Sequence, residues 1–260
     1  MLSIAIVTKN EEERLPDCLK SVSFAEDVLV VDSDSTDRTV EIATSLGARV
    51  MTEPWRGYSG QKQFAVDHCI HDWVLILDAD ERIPEETARA IRNVIADSGK
   101  RVSAYSFRRR NYLHGRWIKH CGWWPDRIVR LVNRKEGRFD GRRVHESWIT
   151  QGQVKKLDVP IDHISFRDYS ELVHKMENYS NLGAMELLDN NKRVSPFTPA
   201  LHGAWMFLRT YIMELGVLDG FDGLVISIMN AGGSFLKYAK ARELVRSQKS
   251  KERAAGRVNE

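Results

Sequence analysis

The sequence predicts an α/β protein in which a parallel sheet carries helices on both faces and a helical region follows. Short apolar runs alternate with helical patterns over the first hundred residues, and this alternation is typical of a doubly wound sheet. The middle of the chain is β-rich and irregular, and apolar residues recur at three- and four-residue steps from Tyr169 onward. With 260 residues, 42% of them hydrophobic, the chain is long enough for one elaborated domain or one domain with an appendage.

The elements follow from the apolar patterns taken in order. Strands are predicted at 2–8, 28–31, 48–51, 73–77, 105–112, 128–132 and 144–149. Helices are predicted at 11–22, 38–46, 60–69, 84–97, 169–185, 200–215 and 222–246. We therefore expect a domain at 1–165, with halves 1–99 and 100–165, and a helical extension at 166–260.

The charge distribution is uneven although the net charge is only +3. Residues 1–99 hold 10 basic and 19 acidic side chains, whereas residues 100–143 hold 14 basic and 3 acidic ones. This contrast predicts a site where metal-binding carboxylates face anion-binding arginines. The alternative is that these charges only form solvated faces.

Three cysteines without a CxxC spacing predict neither a disulfide framework nor a zinc site, and they favour a reducing cytoplasm. No basic leader precedes an apolar stretch, so we expect no secretory signal. The longest uncharged stretches have 15 and 14 residues, short of the ~20 apolar residues of a membrane span.

Three polar clusters come directly after predicted strands, at 8–11, 32–37 and 78–81. In open α/β sheets the ligand lies at the carboxyl ends of the strands. We therefore expect these clusters to converge on one edge of the sheet and to form the functional site.

The third cluster, Asp78-Ala79-Asp80, places two carboxylates at the end of a strand. Alternate residues share a face of a strand, so both carboxylates can address one cation. Oxygen ligands suit Mg²⁺ or Mn²⁺. The alternative for this pair is a capped turn.

The other two clusters are open to two interpretations. Asp32 lies at a strand tip, where it is well placed to contact a ligand. Ser35, Asn10 and Glu11 can contact a ligand as well, but short polar side chains are also the preferred helix N-caps, and one of residues 35–37 is expected to have that role.

The four segments Thr8-Lys9-Asn10-Glu11, Asp32 to Asp37, Gly60-Gln61-Lys62 and Asp78 to Glu81 resemble, in this order, family 2 glycosyltransferases. The resemblance implies a GT-A nucleotide-sugar-binding fold over roughly residues 2–150. It also implies an inverting transfer that gives a β-linked product from an α-linked UDP-sugar.

The resemblance implies roles for these positions. The first-strand loop and Asp32 would contact the nucleobase and ribose. Lys62 would approach the nucleotide, Asp80 would hold Mg²⁺ or Mn²⁺ on the diphosphate, and Asp78 would contact ribose or metal. The implied nucleotide-binding set is Thr8, Asn10, Glu11, Asp32, Ser35, Lys62 and Asp78.

An inverting transferase needs a general base for the acceptor hydroxyl. The residue that matches the family's downstream acidic motif is Glu146, and Asp126 is the rival. For both, an arginine ion pair is the alternative. His163 is expected as a further metal ligand, as a late histidine is in some GT-A enzymes, or else as a structural histidine.

The segment 122–143 supplies candidates for acceptor binding. Trp123 and Trp124 lie beside a glycine and a proline, which suggests an exposed loop where they could stack on sugar rings; the alternative is that they are core residues. A further set could bind phosphate in bidentate fashion on the donor or acceptor. It comprises Arg127, Arg130, Arg142 and Arg143.

Further segments narrow the resemblance to the lipopolysaccharide inner-core β-1,4-glucosyltransferases, namely 122–126, 144–146 and 218–220 with His163, Lys175 and Tyr179. The implied partners are UDP-glucose and a lipid-linked glycan acceptor, with no nucleic acid. Residues 237–257 carry eight basic and two acidic side chains after an apolar stretch, which suits an anionic membrane surface. We expect the protein at the cytoplasmic face of the inner membrane, unless this helix is only a lid on the main domain.

Two other functions are compatible with parts of the sequence. Residues 32–36 resemble the DxDx[ST] loop of haloacid-dehalogenase phosphatases, with Asp32 as nucleophile and Asp34 as acid/base. A complete strand–helix unit precedes this loop here, which disfavours that function. A non-enzymatic RNA-binding module based on residues 100–143 is the other candidate, but it leaves the acidic clusters unexplained.

Overall fold

The computed structural model describes residues 1–97, 102–142, 146–190, 192 and 194–258, with side chains described to residue 247. The chain forms two compact units. The first comprises Met1–Asn111 and Pro125–Ser165, and the second comprises Tyr112–Trp124 and Phe166–Glu260. Residues 112–124 thus group with the helical unit, although the sequence places them in the first domain.

Eleven strands and seven α-helices are present in the described residues. The strands are β1 Leu2–Thr8, β2 Asp27–Asp32, β3 Arg49–Thr52, β4 Trp73–Asp78, β5 Glu81–Arg82, β6 Val102–Leu113, β7 Arg116–Trp117, β8 Asp126–Asn133, β9 Gly137–Phe139, β10 Trp148–Thr150 and β11 Gln153–Phe166. The helices are α1 Leu15–Ser21, α2 Thr39–Ser45, α3 Gly57–Asp67, α4 Glu85–Ala96, α5 Tyr169–Asp189, α6 Thr198–Leu208 and α7 Gly220–Val258.

The main sheet of the first unit has the strand order β3-β2-β1-β4-β8-β6-β11-β5. β3, β2, β1 and β4 are parallel, whereas β8 runs antiparallel to both β4 and β6. Thr8 is paired with Asp32, and Val7 with Asp78. Because neighbouring parallel strands end together, the three polar clusters converge on one edge, as predicted.

Helices cover both faces of this sheet because successive strand residues point to opposite sides. On one face Ile4 and Ile6 belong to a buried cluster with α1, α2 and α4. On the other face Ala5 and Ile76 belong to a second cluster, with α3. The predicted α/β class, with a doubly wound sheet and a helical C-terminal part, is confirmed.

The second unit is mainly helical. α5 and α6 both pack along α7. α6 approaches α7 closely at Gly203, where a Cβ would lie 3.3 Å from the carbonyl oxygen of Ala231 and from Cβ of Phe235. A turn of π-helix, Arg209–Met213, and a 3₁₀-helix, Gly216–Asp219, connect the two helices.

Several predicted elements differ from the structure. The helix predicted at 200–215 ends as α-helix at Leu208, and Leu215 has a left-handed backbone with φ +56° that stops any continuation. β11 was not predicted, because its first residues are exposed and show no apolar alternation. Of the strand predicted at 144–149 only 148–149 is observed, in β10, while Val144 and His145 lie outside the described residues.

Candidate functional site

The first two polar clusters are joined by hydrogen bonds at the sheet edge. The backbone nitrogen of Asn10 donates to Ser35 Oγ at 2.8 Å, and Asn10 Oδ1 accepts from the backbone nitrogen of Thr36 at 2.8 Å. The backbone nitrogen of Glu11 donates to Thr39 Oγ1 at 2.8 Å. Asn10 has a positive φ of 54°, which turns the loop after β1 back onto the turn after β2.

Asp32 is buried at the base of this turn. Its carboxylate accepts hydrogen bonds from the backbone nitrogen of Ser35 at 2.8 Å and from the Ser35 hydroxyl. Asp37 accepts from the backbone nitrogen of Thr39, the first residue of α2, at 3.0 Å. The N-cap position itself is Arg38, which makes no side-chain capping hydrogen bond, so the expectation of an N-cap among residues 35–37 is wrong. Thr8 Oγ1 is buried without a hydrogen-bond partner among the described residues, so a polar group is left facing this edge.

Lys62 contacts both Asp78 of the third cluster and Glu146, which is 84 positions further along the chain. Its ammonium nitrogen lies 3.0 Å from Asp78 Oδ1 and 2.7 Å from Glu146 Oε1. The Lys62 side chain is only 4% exposed, so its charge requires these partners. α3 therefore brings the expected nucleotide-contacting lysine and the expected base into contact.

Arg130 lies behind Asp78 and is 3% exposed. Its Nη2 atom lies 2.6 Å from Asp78 Oδ2 and 2.7 Å from Oε1 of Glu81, which is fully buried. Burial would raise the pKa of Asp78, but the charges of Arg130 and Lys62 outweigh it and hold this pKa well below its usual range. Arg130 is thus engaged in internal ion pairs, which leaves it poorly placed to bind an outside phosphate.

Asp80 faces His163, which β11 places beside β5. His163 Nε2 lies 3.2 Å from Asp80 Oδ2, and His163 Nδ1 lies 2.6 Å from Asn111 Oδ1. The amide nitrogen of Asn111 is directed at the Asp126 carboxylate at 3.4 Å, which leaves its oxygen for the imidazole. The Asn111 oxygen can accept a proton from Nδ1, and the Ser165 hydroxyl lies 2.8 Å from the same nitrogen. With the proton on Nδ1, Nε2 carries the lone pair that a metal ligand needs.

Asp126 is held by Arg109. Its Oδ2 atom accepts from Arg109 Nε at 2.8 Å and lies 2.6 Å from Arg109 Nη2. Arg109 Nη1 is also 3.7 Å from Glu81. Carboxylates and cationic side chains thus alternate from Glu146 to Asp126, and Asn111 and His163 together continue this chain of contacts to Asp80. In order it comprises Glu146, Lys62, Asp78, Arg130, Glu81, Arg109, Asp126, Asn111, His163 and Asp80.

The remaining arginine candidates lie outside this chain of contacts. Arg127 is 2.6 Å from Asp158 and also donates to the carbonyl oxygens of Ser106 and Leu157. Arg142 is exposed and lies 3.1 Å from Asp140. Arg143 lies outside the described residues. A phosphate-binding role for these side chains stays a prediction.

Trp123 and Trp124 are half-buried rather than exposed, and both belong to the second unit. The ring of Trp123 lies 5.7 Å from that of Phe166, and the ring of Trp124 meets Trp117 edge-on at 5.1 Å. This packing corrects the expectation of an exposed loop, since aromatic neighbours cover much of both rings. Their role in stacking on sugars stays a prediction.

Three residues of the site were not among the sequence candidates, and Glu81 was predicted only as a member of the cluster 78–81, without a role. The three are Arg109, Asn111 and Ser165; the Ser165 hydroxyl lies 2.8 Å from His163 Nδ1. A signal for two of them was present, because Arg109 and Asn111 continue the alternation of the apolar residues Tyr105 and Phe107 along β6. Glu81 stands next to the recognised pair Asp78 and Asp80, but its complete burial depends on the contact of β5 with β11.

No cluster of three or more His, Cys, Asp or Glu side chains with metal-binding geometry occurs in the described parts of the chain. The protein donors that do meet are one carboxylate, Asp80, and one imidazole nitrogen of His163. A pair of this kind needs oxygen atoms from another molecule to complete the coordination of Mg²⁺ or Mn²⁺.

The sequence model of the family described as "Glycosyl transferase family 2" matches residues 3–150, more than half of the chain. The matched segment includes the converging strand ends and Glu146. The chain therefore belongs to glycosyl transferase family 2 and is a glycosyltransferase enzyme.

Two relatives match nearly the whole chain. An uncharacterized glycosyltransferase of Rickettsia typhi is 35% identical over 254 residues, covering 94% of this chain and 87% of the relative. The lipopolysaccharide core biosynthesis glycosyltransferase LpsC of Rhizobium meliloti is 31% identical over 261 residues, covering 93% and 94% of the two chains. The helical second unit is therefore shared with these relatives.

Among solved structures, glucosyl-3-phosphoglycerate synthase from Mycobacterium tuberculosis, in complex with Mn²⁺, UDP and glucosyl-3-phosphoglycerate, is 20% identical with a TM-score of 0.35. The match covers 44% of both chains. A likeness this low carries no inference about ligands or mechanism.

Replacement of Arg130 tests the internal ion pairs. The Arg130→Met variant leaves Asp78 and Glu81 without their shared cation, and we expect a loss of roughly 3–5 kcal/mol in the free energy of unfolding at pH 7. Because the pKa of Asp78 is lowered in the folded protein, its stabilising contribution is present above the ordinary aspartate pKa and is lost as the pH falls. The deficit of the variant should therefore shrink below about pH 4.

Urea denaturation between pH 3 and pH 7 measures this effect, with Arg38→Met as the matched control. Arg38 forms an exposed ion pair with Glu41, and its replacement should leave the unfolding curve unchanged. An Arg130→Met deficit that is absent, or that does not change with pH, would contradict the structural role of Arg130.

Proposed function

We propose that the protein is an inverting, metal-dependent glycosyltransferase that moves a hexose, with glucose as the expected sugar, from a UDP-sugar to a lipopolysaccharide core or another lipid-linked glycan. The observation that carries the proposal is the pairing of Asp80 with the Nε2 atom of His163 at the converging strand ends. Membership of family 2 supports the transfer chemistry, and the name of the Rhizobium relative supports the acceptor class.

We assign the UDP moiety to the edge formed by β1, β2 and α3. Asp32, Ser35 and the loop at Asn10 offer carboxylate, hydroxyl and amide groups for the base and ribose, and Thr8 Oγ1 is a buried polar atom at the same edge. Lys62 supplies a positive charge beside Asp78 for the nucleotide. Glu11 lies in the same loop as Asn10, and we assign it to the same part of the UDP site.

The donor set fits a divalent cation. Asp80 Oδ2 and His163 Nε2 lie 3.2 Å apart, so one divalent cation could take both a carboxylate oxygen and an imidazole nitrogen as ligands. Asp80 and His163 would hold it, while both oxygens of Asp78 already contact Lys62 and Arg130. A bound divalent cation would stabilise the negative charge that develops on the diphosphate leaving group.

Glu146 is the better candidate for the base. Asp126 Oδ2 is engaged by two nitrogen atoms of Arg109 and by the amide of Asn111, so this carboxylate is fixed in place on β8. Among the described residues Glu146 contacts Lys62, which links it to Asp78 at the sheet edge. We therefore assign proton abstraction to Glu146 and a positioning role to Asp126.

The proposed step is one direct displacement. The acceptor oxygen forms a bond to the anomeric carbon while the bond from that carbon to the diphosphate oxygen breaks, and the hydroxyl proton passes to a Glu146 oxygen. UDP leaves with the bonding electron pair. Attack from the face opposite the leaving group gives the β-linked product from an α-linked donor.

We propose that the reaction takes place at the cytoplasmic face of a membrane, since the proposed acceptor is lipid-linked. Arg127, Arg142 and Arg143 are proposed to bind phosphate groups of such an acceptor, and Trp123 and Trp124 its sugars. The lipid anchor implies that the enzyme works at a membrane surface.

Calorimetric titration with UDP, with and without Mn²⁺, tests donor and metal binding. We expect UDP binding that Mn²⁺ strengthens. Asp80→Ala removes a proposed ligand and should abolish the response to Mn²⁺, and Asn111→Leu should weaken it, because the imidazole then loses the group that fixes its tautomer.

The Arg38→Met variant serves as the control and should titrate like the wild type. If Asp80→Ala keeps a wild-type response to Mn²⁺, the metal assignment is wrong. Failure of the wild type to bind UDP under both conditions would contradict the whole proposal.

A transfer assay with a lipid-linked core glycan distinguishes the two carboxylates. Glu146→Gln should retain UDP binding and lower kcat by at least about 10²-fold, since the acceptor proton loses its destination. Asp126→Asn keeps the shape of a positioning residue and should reduce kcat less. The reverse order would assign the base to Asp126.

A further inference from the structure

α6 exposes apolar side chains on the face opposite to its contact with α7. Pro199, Gly203 and Thr210 are buried, and Gly203 lies against Ala231 and Phe235 of α7. The exposed residues follow at steps of four, four, three and four positions, which is one face of a helix. This set, the α6 apolar face, comprises Phe197 (75% exposed), Leu201 (68%), Trp205 (52%), Leu208 (48%) and Ile212 (51%).

Few charged side chains accompany these exposed apolar residues. Between Val194 and Leu218 the only Lys, Arg, Asp or Glu side chains are Arg209 and Glu214, and they neutralise each other at 2.8 Å. Apolar side chains remain exposed beyond the helix as well, at Met213, Leu215, Val217, Leu218 and Phe221. A contiguous apolar surface of this kind marks a binding surface rather than a solvated one.

Basic residues adjoin the start of α6. Arg242 of α7 donates from Nη1 to the carbonyl oxygen of Val194 at 3.2 Å, so the basic part of α7 contacts the segment that leads into α6. Residues 237–257 hold eight basic and two acidic side chains. An apolar face next to a basic segment complements lipid acyl chains next to anionic headgroups.

We propose that the α6 apolar face is a membrane-contact surface that lies in the interface of an anionic bilayer. The face runs from Phe197 through α6 into the π-helical turn at Ile212, and it carries Trp205 near its middle. The opposite side of α6 stays packed on α7, so the helix lies parallel to the lipid surface. Among the described helices none is long and apolar enough to span a bilayer.

The α6 apolar face is not the membrane surface that the sequence suggests, which is the apolar stretch before the basic segment 237–257. The uncharged stretch at 223–236 begins with residues that pack inside the second unit, including the buried Gly223, Ile226 and Ser227. The apolar contact therefore falls to α6, and the basic residues of α7 supply the charge. The proposal deepens the proposed function by locating the surface that meets the lipid-linked acceptor, while lipid contact itself requires no transferase activity.

Co-sedimentation of the full-length protein with vesicles tests the surface. The vesicles are phosphatidylcholine with 30% phosphatidylglycerol, and phosphatidylcholine alone. We expect binding to the anionic vesicles and at least about tenfold weaker binding by the double variant Leu201→Ser/Trp205→Ser, which loses two large apolar side chains. The matched control Leu46→Ser/Ile70→Ser removes two exposed apolar side chains from the first unit and should bind like the wild type.

Wild-type binding by the Leu201/Trp205 variant, or equal losses in both double variants, would overturn the proposal. Sedimentation velocity adds a second readout: a wild-type dimer that the Leu201/Trp205 variant lacks, without vesicle binding, would assign the face to a second copy and overturn the lipid assignment. The UDP titration on the same preparations separates the two hypotheses. Intact UDP binding with no vesicle binding rejects the surface alone, and the opposite result rejects the donor site alone.

Discussion

The ion pair that Arg130 makes with Asp78 and Glu81 is the interaction on which the rest of the site depends. A parallel sheet ends its strands along one edge, and this sequence puts Thr8, Asp32 and Asp78 in register there. Carboxylates gathered in this way repel one another and lose hydration. The buried guanidinium balances two of them from behind, at 2.6 and 2.7 Å.

The carboxylates of the site differ in the side chains that they contact. Asp78 and Glu81 are tied to internal cations, and Asp126 is tied to Arg109. Asp80 Oδ2 lies 3.2 Å from His163 Nε2. We propose that this pair, rather than Asp78, holds the outside cation, although Asp78 belongs to the same sequence motif. The spacing of two carboxylates in a sequence thus does not decide which of them lies beside an imidazole.

The sequence predicted much of the first unit. The four parallel strands and the convergence of the polar clusters follow from apolar runs and from the rule that such strands end together. β11 was missed, because its exposed start at 153–156 lacks an apolar pattern and only pairing within the sheet makes it a strand. With β11 unseen, the contacts of His163 with Asp80 and Asn111 were beyond prediction, although His163 itself was a candidate.

Long-range packing explains the other omissions. The contact of Lys62 with Glu146 crosses 84 positions, and the burial of Arg130 depends on three strands at once. In the second unit, apolar residues of α6 and α7 look alike in the sequence. Only the packing of Gly203 against Ala231 shows which face of α6 is covered and which is exposed.

The most direct test of the central claim is anomalous scattering from Mn²⁺ in a crystal grown with UDP. The account predicts one anomalous peak bonded to a carboxylate oxygen of Asp80 and to Nε2 of His163, at about 2.0–2.2 Å, with UDP oxygens completing its coordination. A peak bonded to Asp78 without His163, or UDP bound at this edge with no peak near Asp80, would contradict it.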